Sequence, residues 1–413
     1  MKRWPLLTLT ALLLLVTVAA VNAQPPKPEP EPNRDAMVGS EAEILPDEPE
    51  LIGTDLGLPG KLGAAISNTP KGTEPGQIDP DAEPGFANIP GAPQVSYLTA
   101  ALWAIVVGLL FSTLGAFGGV MAGLGHFTVF GLGDYAKAFN TTNPALSRLL
   151  TDSIRVSNQF LVATSALISS FNYWRKGQLV MPLTLTLGLG SVAGAFLVPF
   201  LTAGRVDLST YIGWFGVITL VIALFLLWYM TPFGRRGQNK AKKAAKEFQA
   251  AVRAKGERAE HGVKLKKFGL GKATFSFYGV DFSFSPILTF LGGLVITGIS
   301  AFLGIGGGFL LVPFMTALVG LPMFIVAGTS ALSVLIGMIV SIATFVFVGG
   351  TVIDWTLIGV EMAGVFVGSL IGPRLLRFIP EKILRLIFVL LAIYLGLSYL
   401  SLGFSGNSWL PMI

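Results

Sequence analysis

The chain has 413 residues, 52% of them apolar and 13% charged, with a mean hydropathy of +0.69, a balance that excludes an ordinary soluble domain and defines a polytopic membrane protein. It has no cysteine and two histidines, His126 and His261, which excludes thiolate chemistry and disulfides, leaves little material for a histidine metal cluster and indicates no cofactor. The formal charge of +6 is divided between segments of opposite sign that report on topology, and nucleic-acid binding is not indicated.

Residues 1–23 open with Lys2 and Arg3, continue through an apolar run and end Val21-Asn22-Ala23, the pattern of a signal peptide cleaved after Ala23; an uncleaved anchor is the alternative. Residues 24–94 are rich in proline and acidic residues and poor in aromatics, so the expectation is a disordered arm outside the cytoplasm. Apolar segments then follow at 95–133, 156–173, 179–201 and 208–229, making a first transmembrane repeat over 95–230. Between 231 and 281, thirteen Lys or Arg face four Asp or Glu, which places the loop 231–282 in the cytoplasm. Its stretch 240–255 reads as a solvated basic face near anionic lipid, or alternatively as a partner-binding helix. A second transmembrane repeat, 283–403, carries apolar segments at 284–319, 324–350, 355–372 and 383–402, and 404–413 is a tail.

The two blocks echo each other. Gly190, Gly194 and Pro199 in one, and Gly364, Gly368 and Pro373 in the other, both spell G-x3-G-x4-P, and Gly177 and Gly350 each follow a serine, Ser157 or Ser330, by twenty residues. The first block enters from outside and leaves into the basic loop, so its crossings are odd in number. Three ordinary helices supply three, and the long glycine-containing segment must then contribute an even number, as a re-entrant hairpin or as two short crossings. Basic residues follow the second segment of the first block (Arg175, Lys176) but the third segment of the second block (Arg374, Arg377), as opposite insertion requires. The expected architecture is therefore all-α: two inverted repeats, each a glycine-broken hairpin plus three transmembrane helices, with arm and C-terminus both periplasmic.

The breaks lie at Gly304, Gly306, Gly307 and Gly308 in the second block, and at Gly118, Gly119, Gly123 and Gly125, followed by His126, in the first. Backbone freed from helical bonding within a membrane belongs where it lines a polar cavity, and amides exposed beside glycine suit a small anion. Close helix packing is the other reading of the same glycines. Thr329 and Ser330, at the start of the next helix, add hydroxyl donors.

GIGGGFLLVP (residues 304–313), Gly320-Leu321-Pro322, AGTSAL (327–332), Gly349-Gly350 and Asp354-Trp355 occur in an order that resembles the TauE/SafE family of sulfite and organosulfonate exporters. In the first block GGxxxGLG (118–125) agrees, whereas the GTS-like position is replaced by Arg155-Val156-Ser157-Asn158-Gln159. The resemblance implies a secondary transporter of small sulfur-containing anions such as sulfite, sulfate or organosulfonates in the bacterial inner membrane, driven by a gradient.

For this activity the candidate anion-binding residues are Gly119, Gly123, Arg155, Ser157, Gly306, Gly307, Gly308, Thr329 and Ser330. Arg155 suits bidentate recognition of an oxyanion, or else snorkels to the interface. Glu361, an ionisable group well inside a span, and His126 are alternative carriers of a coupling proton. Gly131-Leu132-Gly133-Asp134 spells the GxGD of intramembrane aspartyl proteases, but an apolar span with the second aspartate is missing, so no enzyme is expected. A passive anion channel and a membrane scaffold or sensor are the competing classes; homo-oligomerisation is left open.

Overall fold

The computed structural model describes residues 51–52, 58, 60–114, 117–175, 177–231, 245–246, 263–277, 280–375 and 381–410. The signal-peptide segment and most of the basic loop, including 240–255 apart from 245–246, lie outside the described residues. The helices are α1 (Gly60–Ser67), α2 (Tyr97–Leu114), α3 (Phe117–Leu124, continuing in π-helical turns to Val129), α4 (Leu132–Thr142), α5 (Pro144–Arg175), α6 (Met181–Thr202) and α7 (Leu208–Met230). A three-stranded sheet follows, β1 (Val263–Lys267), β2 (Ala273–Phe277) and β3 (Val280–Phe284). The second half has α8 (Pro286–Leu303), α9 (Gly308–Pro313, extended in π-helical turns to Val319), α10 (Met323–Ala343, extended likewise to Gly349), α11 (Trp355–Leu375) and α12 (Glu381–Ser405).

Local chemistry sets several boundaries. The Asp207 carboxylate accepts from the Thr210 amide at 3.0 Å and starts α7, and Ser285 accepts from Leu288 ahead of Pro286 to start α8. Among the described residues five helices are long and apolar enough to cross a membrane: Met181–Thr202, Leu208–Trp228, Pro286–Leu303, Ile325–Gly349 and Trp355–Gly372. The long helix α5 is different, because Asp152, Ser153, Arg155, Ser157, Asn158 and Gln159 are all buried along it. Polar side chains on several faces of one helix can be buried only if that helix is surrounded by protein.

Glycines bring the helices together in pairs. In the parallel pair α6 and α8, a Cβ at Gly190 would strike the Phe290 carbonyl and one at Gly194 the Leu294 carbonyl, while Thr186 and Ser191 meet Thr289 and Thr297 at 3.0 and 2.9 Å. In the parallel pair α2 and α11, Gly364, Gly368 and Gly372 lie against Ala101, Ile105 and Leu109 in turn. The pair α7 and α12 is antiparallel, with Gly216 beside Gly396 and Leu400, and Gly403 against Gly213. So is the pair α5 and α10: Gly328 near the start of α10 meets Tyr173 near the end of α5, whereas Ser153 near the start of α5 donates to the Val352 carbonyl beyond α10 at 2.7 Å. The G-x3-G motifs are thus surfaces of close backbone approach.

Helices α2 and α3 form a hairpin in which Trp103 Nε1 donates to the Met121 carbonyl at 2.9 Å and Gly118 lies on the Phe111 ring. Helices α8 and α9 form a second, with Gly292 on the Phe314 ring. Gly304 and Gly306 turn it with φ of 71° and 76°, a region where an L side chain is strained. The hairpins touch at their tips, since Gly119 abuts the Ile305 backbone.

Two expectations are corrected. The arm expected to be disordered over 24–94 is ordered where described between 60 and 94. Leu62 and Ile66, one turn apart on α1, are buried together with Ile78, Phe86 and Ile89, and Lys61 Nζ donates to the Gly349 carbonyl at 2.7 Å. Asn143 donates to the Ala65 carbonyl at 2.7 Å and the Ala87 amide to Asp354 at 3.0 Å. The segment has too few apolar residues for a core of its own and buries them on the ends of the membrane helices, a partner that composition does not reveal. The all-α class is also amended, because the loop contains the antiparallel sheet β1-β2-β3. Its ATFSF and VDFSF segments alternate with period two, and Phe275, Phe277, Phe282 and Phe284 are buried in one cluster with Leu183 and Ile325.

A leucine at Gly368 overpacks the α2–α11 contact. Gly368→Leu is expected to cost about 1–3 kcal/mol and lower the melting midpoint in detergent. Gly359→Ala, on the same helix with no atom within 4 Å of its Cβ position, serves as the control and leaves the midpoint unchanged.

Candidate functional site

Helix α8 stops at Leu303 in the protein interior, and a helix end leaves its last carbonyls without intrahelical partners. The last intrahelical bond is closed by Gly304, and the next three carbonyls are each met by a side-chain donor. The Gly304 amide donates to the Ser300 carbonyl at 2.8 Å, Gln159 Nε2 to Ala301 at 2.9 Å, Arg155 Nε to Phe302 at 2.9 Å and the Tyr211 hydroxyl to Leu303 at 2.6 Å. Helices α5 and α7 thus cap α8 from the side, and a cation lies at the negative end of its dipole.

Arg155 is occupied further by Asp152 at 2.8 Å and Thr202 at 3.0 Å, with its guanidinium 4.5 Å from the centre of the Phe345 ring and 5.0 Å from that of Phe302. The second Asp152 oxygen accepts the Gly204 amide at 2.6 Å. This arginine is a buried structural cap with a neutralising partner, rather than an interfacial snorkelling residue.

Next to this cap lies a second buried ionisable pair. His126, in the π-helical turns after α3, approaches Glu361 of α11 through Nε2 at 3.2 Å, and its Nδ1 faces the Ala122 carbonyl at 3.0 Å and Asn158 Oδ1 at 2.8 Å. Two acceptors at Nδ1 require the proton there. The Nε2···Oε2 contact then holds one further proton, either as imidazolium and carboxylate or as imidazole and carboxylic acid. Asn158 itself sits at the glycine break, its Cβ 3.1 Å from the position a Cβ would take on Gly304. Four separate elements (the α3 extension, α5, the α8–α9 break and α11) therefore converge here.

The structure distributes the sequence candidates unevenly. His126 and Glu361, alternatives in the sequence reading, are brought together. Gly119 is spent on contact with Ile305, Gly123 on the Phe215 ring, and Gly306 packs on Val162. Gly307 lies near Ser300, whereas Gly308 has open space at its Cβ position. Ser157 and Thr329 donate along their own helices, to Ser153 and Ile325, each at 2.9 Å. Ser330 is buried with its hydroxyl unpartnered. Sequence reasoning missed the roles of Asp152, Gln159 and Tyr211 and undervalued Asn158. The usable signal was Asp152-x2-Arg155-x2-Asn158-Gln159, polar residues at helical spacing in a span-length helix. Among the described residues no group of three His, Cys, Asp or Glu is placed to hold a metal ion.

A polytopic helical protein with a hairpin turned at glycines in its interior, beside a buried ionisable cluster, has the make-up of a membrane transporter. The family model described as sulfite exporter TauE/SafE matches residues 99–399, and the chain belongs to that family. This is a family of transporters and not of enzymes, and membership implies movement of sulfur anions across a membrane. No curated protein and no solved structure matches the chain.

Tyr211→Phe leaves the Leu303 carbonyl unpaired and is expected to cost about 1–3 kcal/mol. Arg155→Met strands Asp152 as a lone buried charge and is expected to cost about 3–5 kcal/mol. Adding Asp152→Asn to Arg155→Met should recover part of that loss in thermal unfolding, because the stranded charge is then removed.

Proposed function

We propose that the protein is a secondary transporter, operating as an exporter, of small sulfur-containing oxyanions such as sulfite, sulfate or organosulfonates across the bacterial inner membrane, and that the His126–Glu361 pair carries the coupled proton. The observation that carries this reading is the pair itself. It is fully enclosed, Asn158 links it to the turn at Gly304, and its members come from different halves of the chain. A buried pair sharing one proton can take up or release a proton only when water or cargo reaches it, which ties protonation to access.

In this reading the halves are inverted repeats that rock against each other. Helix directions support it. An in-plane two-fold axis makes equivalent elements run in opposite directions, and the equivalents α5 and α10, like α7 and α12, lie antiparallel. The same operation exchanges the α2–α11 contact with the α8–α6 contact, and both pairs are parallel. The basic loop then faces the cytoplasm, and the end that carries α1 faces the periplasm. Gly306, Gly307, Gly308 and Ser330 lie along the anion's route, with Gly119 holding the hairpins close and Gly123 seating α3 on α7. Arg155, Ser157 and Thr329 serve the walls.

Sulfite uptake into proteoliposomes under an imposed pH gradient tests the proposal. Wild type is expected to saturate with sulfite and to respond to the gradient, and Glu361→Gln to lose the response. Gradient response retained in both Glu361→Gln and His126→Gln would remove the proton role from this pair. Flux that rises without saturation and ignores the gradient would favour a passive channel.

A further inference from the structure

We propose that Asn158 is the specificity-determining donor of the transport site: its unpartnered Nδ2 donates to an oxygen of the transported oxyanion, while its Oδ1 holds His126 in position. This deepens the reading of the preceding subsection and rests on it.

The argument starts from the fixed orientation of the amide. His126 Nδ1 carries a proton because it faces the Ala122 carbonyl, so the Asn158 atom 2.8 Å from it must be the oxygen. The nitrogen is thereby turned away from the ring. It is fully buried and has no hydrogen-bond partner in the protein. An amide donor in that position without a partner is destabilising, and such groups in native proteins call for an explanation.

A ligand oxygen is the explanation that fits the surroundings. Asn158 adjoins the Gly304 turn, where absence of a side chain leaves the backbone of the break beside it. Asn158 and Glu361 bind opposite nitrogens of one imidazole, and Glu361 Oε1 is also buried and unpartnered. The histidine thus links a free donor on one side to a free acceptor on the other. An amide N–H is a neutral donor that recognises an oxyanion oxygen without placing a second cation near Arg155, and chloride, with a single diffuse acceptor and no oxygen geometry, gains less from it. Occupation of the Asn158 donor and the protonation of the pair are therefore felt through the same ring. Asn158 acts on the anion directly and on the proton as a positioning residue.

Two variants separate these roles from a purely structural one. Asn158→Ala is expected to raise the KM for sulfite about ten- to a hundredfold, the loss of one hydrogen bond to a charged group, with a smaller change in kcat. Asn158→Asp is isosteric and keeps an acceptor for His126 Nδ1 but removes the donor. Its purified form is expected to fold and to lose the thermal stabilisation that sulfite or sulfate gives the wild type over an ionic-strength-matched chloride control. Sulfite stabilising Asn158→Asp as much as wild type, or an unchanged KM in Asn158→Ala, would overturn the assignment while leaving the transporter reading intact. Wild type that neither transports nor is stabilised by sulfite or sulfate overturns both.

Discussion

A hydrogen-bonded helix that ends within an apolar interior leaves carbonyls that nothing in hydrocarbon can satisfy, and the end of α8 is where this protein meets that constraint. Gln159, Arg155 and Tyr211 each supply one donor, in consecutive order, to Ala301, Phe302 and Leu303. Much else follows. The cap needs a cation, the cation needs Asp152, and Asp152 needs the Gly204 amide beyond the end of α6. A polar helix, α5, must run through the middle of the bundle to deliver these groups, and the apolar helices must wrap it. The same helix then carries Asn158 to the break one turn further on. Structural necessity and candidate chemistry are adjacent residues of one helix.

The second organising feature is close backbone contact. Each of the pairs α6–α8, α2–α11 and α7–α12 is seamed with glycines, and in each the missing side chain admits a neighbouring main chain. Lipid offers helices little hydrophobic incentive to associate, so shape and dispersion have to supply it. Glycine seams also leave few bulky side chains interlocked across a contact, so that a pair can shift as a unit.

Much of this was legible in the sequence because membrane helices announce themselves through length and apolarity, and because glycine breaks stand out against that background. The turn at Gly304–Gly306 was legible in this way, whereas Gly118 and Gly119, expected to break the first hairpin, lie within helix α3, and His126 and Glu361 stood out only as alternatives. What escaped was relational. Nothing in the one-dimensional pattern says that Glu361 faces His126, more than two hundred residues away, or that Arg155 addresses a carbonyl and not a ligand. The arm was misjudged for the same reason: Leu62, Ile66, Ile78, Phe86 and Ile89 are too few to make a core within their own segment, and the surface that completes it comes from helices later in the chain. The Phe-x-Phe alternation of β2 and β3 was readable in principle but was hidden within a loop characterised by its charge.

Both ionisable clusters described along α5 close on themselves electrically. Asp152 and Arg155 cancel, and His126 with Glu361 is neutral as long as one proton lies between Nε2 and Oε2. If the proposed route runs beside these pairs, they add no standing charge while that proton is held, and the membrane voltage then acts on the cargo alone. For a monovalent anion that amounts to about 2.3 kcal/mol per 100 mV, directed outward when the cell interior is negative. Every proton that accompanies the anion cancels one unit of that pull. The current carried per anion is therefore a direct count of the protons that travel with it.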